Sequence, residues 1–399
     1  MPLVLKNIAA VSSPKKLVEV CRGDLDRLNA YLLSKTAGKD LSAKVRGKVK
    51  NFGPNKTRLA SEANCFVDFA VSTGSTNLDL IIHREPPYGI PAGSIVELFS
   101  DDESQGKSLL LESIIAQAQL LYWTTKLQDP EGTFDRPRGQ VMGINLGQLL
   151  YDDLDIIEFV FSDFRHYARL IQGKMPENMK LRIAPGLLYA LDTLSATETL
   201  RESEGEEKDG FNTQMAIMMS RKMRGTMRYV RRQPIIFIVV NQGRTDVTRY
   251  GSPTTTAGGK ALKYYARLRM KCKFIGAVHD ENNVEIGNRM RVTIVKNKVS
   301  PPFGVAEFDV HYKTGIQDKP SWFWFLKQVK AAKHRSKGIY DIKLPDGTLF
   351  SCSKGTFVSK MEKRGLTDQI RKLMQDCAAS GRVPMLRRMV AKDDEGGGE

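Results

Sequence analysis

Residues 94–108, SIVELFSDDESQGKS, constrain the fold more than any other stretch of the chain. An apolar run, Ser94–Phe99, leads into a polar turn that ends Gly106-Lys107-Ser108. Leu109, Leu110, Ile114, Ile115, Ala118, Leu121 and Tyr122 then recur at helical spacing. Strand, turn and helix in that order give a Gly-Lys-Ser triplet chemical meaning. N–H groups of the turn and of the helix start suit an anion. Lys107 would reach the β and γ phosphates of a nucleotide, and Ser108 would hold Mg²⁺ through its hydroxyl. One position departs from the pattern G-x-x-x-x-G-K-[ST]. Asp101 stands where glycine is expected, with Asp102 and Glu103 behind it. A carboxylate at the mouth of a phosphate site repels the ligand unless it points away.

The rest of the chain alternates apolar strands with helices. Gly139–Leu146 reads as a second buried strand, Ile156–Phe161 as a third, and Asp163–Gly173 as a helix. Gly186–Thr193 is an apolar strand that ends in Asp192. That is the place for a carboxylate that holds Mg²⁺ and orders water beside a phosphate loop. Thr197–Gly210 is polar and Glu-rich and reads as a loop, and Phe211–Tyr229 as a Met-rich basic helix. Pro234–Val240 reads as a strand, Gly243–Gly259 as a polar loop and Lys260–Arg269 as a helix. Met290–Asn297 and Ala306–Tyr312 alternate like paired strands. This order predicts an α/β fold with a largely parallel central sheet and a ligand at the C-terminal ends of its strands.

Composition narrows the partners. The 399 residues carry 61 Lys+Arg against 45 Asp+Glu, a formal charge of +16, which favours a polyanion such as nucleic acid. The five cysteines are scattered without a CxxC pair, which fits a reducing compartment and argues against structural zinc. There is no run of about 18 apolar residues, so no membrane span is expected. Four segments follow. Residues 1–63 hold an amphipathic helix and a basic linker suited to oligomerisation, and 64–316 form the core. Residues 317–390 form a small basic C-terminal α+β domain, and 391–399 a disordered acidic tail.

Taken together, STGSTNLDL (72–80), ELFSDDESQGKS (97–108), LDT (191–193), MMSRKMR (218–224), NQGR (241–244), TTTAGGKALKYYARLR (254–269), VTIVKNKVSPPF (292–303) and AEFDVHY (306–312) resemble the RecA-type strand-exchange recombinases. The resemblance covers about Val71 to Ile316; the basic charge and divergent ends look more like a phage-type or otherwise diverged member than a housekeeping bacterial one. It implies a RecA-like P-loop ATPase core that uses ATP and Mg²⁺. The chain would form a homo-oligomeric helical filament on single-stranded DNA and pair it with double-stranded DNA in the cytoplasm of a bacterial or phage-infected cell. Glu103, Ser104, Gln105, Gly106, Lys107 and Ser108 would form the phosphate loop, and Asp192 the second metal-site group. Tyr312 would pack beside adenine. Gln242 would sense the γ-phosphate. Lys296 and Lys298 would reach a neighbouring subunit's ATP. Residues 197–213 and 243–259 would be DNA-binding loops, with Ser220, Arg224, Arg244 and Tyr250 as contacts.

The resemblance also implies a catalytic Glu at the end of the strand after the first helix. If Gly139–Leu146 is that strand, the position falls at Gly147 or Gln148. Gln148 could orient water without taking its proton. The other candidate is Glu131, 24 residues beyond Lys107. The stretch before it, Thr124–Gln128, makes a poor buried strand by its polarity, so the first alignment is favoured. Without that Glu, the alternative reading is a degenerate paralogue that binds ATP and DNA as a filament or loading factor with little hydrolysis.

Overall fold

Strand β3 (Ser94–Ser100) is buried along its whole length because it lies between two parallel neighbours and under helices on both faces. The computed structural model describes residues 69–171, 186–204, 211–231, 233–244, 255–256 and 259–386. A short pair, β1 (Ala70–Val71) and β2 (Ile90–Pro91), flanks helix α1 (Thr76–Ile82). Helix α2 (Lys107–Leu120) follows β3. The remaining strands of the central sheet are β4 (Thr124–Gln128), β5 (Leu149–Asp152), β6 (Leu187–Leu191), β7 (Ile235–Arg244), β9 (Leu268–His279), β10 (Glu285–Asn297), β11 (Val305–His311) and β12 (Gly315–Gln317). Their order is β12-β11-β10-β9-β3-β7-β6-β4-β5, and the short β8 (Thr255–Thr256) pairs with the end of β7. From β9 to β5 every pairing is parallel; β9 through β12 run antiparallel. The fold is α/β with a large, mostly parallel sheet.

Alternation along the strands builds two cores. On β7, Ile236, Ile238 and Val240 face one side, and Ile235, Phe237 and Val239 the other. The first side is covered by α1 and α2. The second is covered by α4 (Ile157–Ile171), α6 (Phe211–Val230) and α7 (Gly259–Tyr265). There Phe164 meets Tyr189 edge-on at 5.3 Å, and Tyr189 stacks on Phe237 at 5.5 Å. Met215, Met219 and Met223 of α6 pack into this core, which leaves the basic face of the helix outward.

Two expected strands are helices. Gly139–Leu146 is not a strand: α3 (Arg136–Val141) occupies it, and a 3₁₀ turn follows at Leu146–Gln148. Its start signal is Asp135-Arg136-Pro137. The Asp135 carboxylate accepts the Arg138 N–H at 3.0 Å, and Pro137 sits in the first turn. Ile156–Phe161 belongs to α4, whose buried Ile157, Val160, Phe161, Phe164 and Ala168 follow helical spacing. The strand after α2 is instead β4, Thr-Thr-Lys-Leu-Gln. Each buried polar side chain there has a partner. Thr125 donates to the Gln148 carbonyl at 3.3 Å, Lys126 pairs with Asp152, and Gln128 donates to Asp163 at 2.9 Å. The stretch expected as a loop from Thr197 holds a short helical turn, α5 (Leu200–Ser203), closed by a Thr199/Glu202 capping box. Helix α7 ends at Tyr265, and Leu268 and Arg269 already belong to β9.

Residues beyond β12 form α8 (Asp318–Gln328), a three-stranded antiparallel sheet of β13 (Ala332–Ser336), β14 (Ile339–Lys343) and β15 (Leu349–Ser353), and helices α9 (Phe357–Lys363) and α10 (Thr367–Ala379). Trp322, Phe325, Phe350, Phe357 and Met374 join the same apolar core as α1 and α2. Asn77 of α1 bridges this junction. Its amide donates to the Glu307 carbonyl at 3.2 Å and the Ser321 carbonyl at 2.9 Å. The Asp318 carboxylate accepts the N–H and the hydroxyl of Thr76, both at 2.7 Å. The expected N-terminal helix and linker and the acidic tail lie outside the described residues. Among the described residues no helix is long and apolar enough to cross a membrane.

Asp79 gives this core a pH dependence. It is buried, it accepts the Thr73 N–H at 2.8 Å and the Thr73 hydroxyl at 2.7 Å, and burial pushes its pKa from 3.8 to about 6. The folded state therefore holds this proton more tightly than the unfolded chain does. Stability from this group is complete below pH 3.8 and declines as pH rises to about 6. We expect a loss of up to about 3 kcal/mol across that window. Asp79→Asn should flatten the slope in urea titrations between pH 4 and 6; an unchanged slope would assign it to other groups.

Candidate functional site

The C-terminal ends of β3, β4, β6 and β7 open onto a cavity of about 640 Å³. Glu103, Ser104, Gln105, Gly106, Lys107 and Ser108 form one wall, and Glu131, Arg138, Thr193, Gln242, Phe274, Asn288 and Tyr312 contribute to the others. Gly106 takes a left-handed conformation (φ 78°), and a Cβ there would meet Met290 and Phe274. The turn is anchored from β9, where the Phe274 N–H donates to the Gln105 side-chain carbonyl at 2.9 Å. Residues 103–109, the loop and the start of α2, line the cavity.

Lys107 is 6 % exposed, and its Nζ donates to the Ser100 hydroxyl at 2.7 Å. Burial lowers its pKa, and Asp192, Glu131 and Glu103 oppose that shift. Ser108 stands beside Asp192, close enough to favour its charged form. Burial pushes Asp192 up to about 6; Asp129 and Glu131 push the same way, and Ser108 and Lys107 oppose. Asp192 Oδ1 is buried without a hydrogen-bond partner. An orphaned carboxylate oxygen beside a serine hydroxyl and a buried lysine fits a Mg-nucleotide. Among the described residues no three acidic, histidine or cysteine side chains form a ready-made metal cage. Ser108 and Asp192 would hold a cation that also binds phosphate oxygens and water.

Glu131 lies three residues past the end of β4. Its carboxylate accepts the Thr193 hydroxyl at 2.6 Å, which joins the loop after β4 to the loop after β6. Gln148 is exposed in the 3₁₀ turn and does not line the cavity. Gln242 stands level with Ser100 across the β3–β7 pairing. Beneath it, the buried Glu97 is satisfied by Arg269 and by the Asn241 amide at 3.1 Å. Tyr312 is 53 % exposed at the rim, and its hydroxyl donates to Glu285 and accepts from Asn288.

Lys296, Lys298, Ser220 and Arg224 do not line the cavity. Lys296 donates to the carbonyls of Lys263 at 2.5 Å and Tyr264 at 2.9 Å, where α7 ends. Burial pushes its pKa down to about 8, with Lys298 and Arg269 acting the same way. Lys298 lies over the Tyr264 ring at 5.9 Å. On α6, Arg224 is exposed and Ser220 half-buried. Arg244 ends β7, paired with Thr255. Tyr250 and most of 243–259 lie outside the described residues.

Sequence reasoning missed Arg138, whose guanidinium binds the buried Glu112 at 2.7 and 3.0 Å and reaches the cavity wall. It also missed the partner of Asp101. That carboxylate pairs with Lys271 of β9 and does not line the cavity.

A phosphate loop between β3 and α2, with acidic groups beyond β4 and β6, defines a RecA-like P-loop core. The RecA N-terminal domain family matches residues 39–317. Protein RecA of Legionella pneumophila is 32 % identical over 280 residues, 70 % of this chain and 75 % of that protein. Protein RecA of Rickettsia canadensis (strain McKiel) is 33 % identical over 269 residues, 67 % of this chain and 73 % of its own. The crystal structure of the RadB recombinase aligns with 62 % of this chain and 99 % of its own, at 20 % identity and a TM-score of 0.41. The chain belongs to the RecA family.

Proposed function

We propose that this chain is an ATP-dependent DNA recombinase. It forms a filament on single-stranded DNA and promotes homologous pairing and strand exchange. The observation that carries the reading is the convergence of Lys107, Ser108, Asp192, Glu131 and Gln242 at one end of the parallel sheet. RecA-family membership supports it, since this is a family of DNA-dependent ATPases that bind ATP with Mg²⁺.

Lys107 and the loop amides bind the β and γ phosphates. Ser108 and Asp192 would hold Mg²⁺, which when bound supplies positive charge for the phosphate oxygens. Glu131, fixed by Thr193, orients the attacking water and accepts its proton. Gln242 meets the γ-phosphate at the end of β7 and passes its state to the segment that follows. Arg224 and Ser220 on α6, with Arg244 and Tyr250, contact DNA phosphates and bases; few base-edge contacts keep such binding sequence-tolerant. Lys296 and Lys298 act across the subunit interface.

The degenerate alternative drew its force from a missing carboxylate after the second core strand. With β4 in that position, Glu131 supports the hydrolytic reading. The test is ATP hydrolysis with and without single-stranded DNA, together with microscopy for filaments. DNA-stimulated turnover with filaments is expected. Filaments without turnover would favour the alternative, and neither would sink both.

A further inference from the structure

We propose that Lys271 is a positioning residue for the nucleotide site: it pairs with Asp101 and holds that carboxylate off the phosphates, which makes an acidic phosphate loop competent to bind ATP. The inference rests on the nucleotide reading above and adds a residue to that site.

Asp101 follows β3 directly, where the phosphate-loop pattern has glycine. Lys271 is the cross-strand partner of Phe99, two residues earlier. On β9, Met270 and Cys272 are buried in the core, so the pleat sends Lys271 to the opposite face. From there its ammonium reaches Asp101 Oδ2. Neither side chain lines the cavity.

The two side chains are 34 % and 38 % exposed, so such a pair adds little to stability. Its effect is on the potential at the site. Glu103 and Glu131 already line the cavity, and Asp192 adjoins it through Ser108. Of the two strong cations in its wall among the described residues, Lys107 and Arg138, the second is committed to Glu112. Asp101 charge that Lys271 no longer offsets would weaken triphosphate binding on the order of tenfold after screening. The penalty grows with ligand charge.

Equilibrium affinities for ATP, ADP and AMP, measured by calorimetry at fixed salt, test this directly. Lys271→Ala should weaken ATP binding about tenfold, ADP less and AMP least. Asp101→Asn combined with Lys271→Ala should restore wild-type affinity, and Lys271→Arg should retain it. Equal losses for all three nucleotides would indicate disturbed packing and overturn the inference. So would a loss that persists in the double variant, which would mean that Lys271 acts on the nucleotide itself, or no loss at all. A wild-type chain that binds none of the three would overturn the nucleotide reading, and this inference with it.

Discussion

Lys107→Ala will leave a folded protein that turns over ATP at least about a thousandfold more slowly than wild type. The lysine is buried and held by the Ser100 hydroxyl at the head of the loop, so its charge is pre-set where phosphate charge must be met. Glu103, Glu131 and Asp192 surround that position. Alanine therefore leaves a nucleotide facing acidic groups without its nearest counter-charge, in a partly desolvated site where charges act strongly. Folding should survive because burial already works against the ammonium, and its loss removes that cost. Turnover assays with saturating single-stranded DNA, alongside nucleotide titrations, check this. Turnover within tenfold of wild type would remove Lys107 from the mechanism.

Glu131→Gln should lower kcat by about 10²- to 10⁴-fold while nucleotide affinity stays near wild type. Glutamine keeps a carbonyl that can accept the Thr193 hydroxyl, so the tie between the two loops survives while the proton acceptor is lost. The effect should therefore fall on turnover and not on binding. Gln148→Ala is the discriminating control. Gln148 sits in an exposed turn outside the cavity and should change kcat by less than about twofold. If Gln148→Ala stops turnover and Glu131→Gln does not, the assignment of the water-positioning residue is overturned.

These two residues differ in how visible they were before the structure. Lys107 sits between an apolar strand and an apolar helix, and local pattern alone fixes both. The same holds for β6, β7 and the β10–β11 pair, whose apolar runs or alternation match buried strands. Glu131 follows β4, which reads as surface because three of its five residues, Thr125, Lys126 and Gln128, are polar and buried. They are buried because Gln148, Asp152 and Asp163 satisfy them, and those partners come 23 to 35 residues later. Hydropathy cannot register a partner brought in by topology. Reading β4 as surface moved the expected second strand to α3, and the expected water-positioning residue to Gln148 with it. The Asp135-Arg136-Pro137 start signal lies in the chain just ahead of the Gly139–Leu146 run. Asp101 was legible as a departure, whereas Lys271 became its partner only through the β3–β9 register.

The junction at α1 has a consequence for synthesis of the chain. Ser75 provides no side-chain cap for this seven-residue helix. Its first turn is bonded instead by the Asp318 carboxylate, 242 residues later, and the Asn77 amide donates to Glu307 and Ser321, 230 and 244 residues away. A helix this short does not persist without a cap and a surface to lie on. While the ribosome is still making the strands of the central sheet, α1 has neither. Closure of such distant contacts is slow, and the sheet face that α1 and α8 will cover stays open until then. The opening segment of the core therefore waits for translation to pass Ser321.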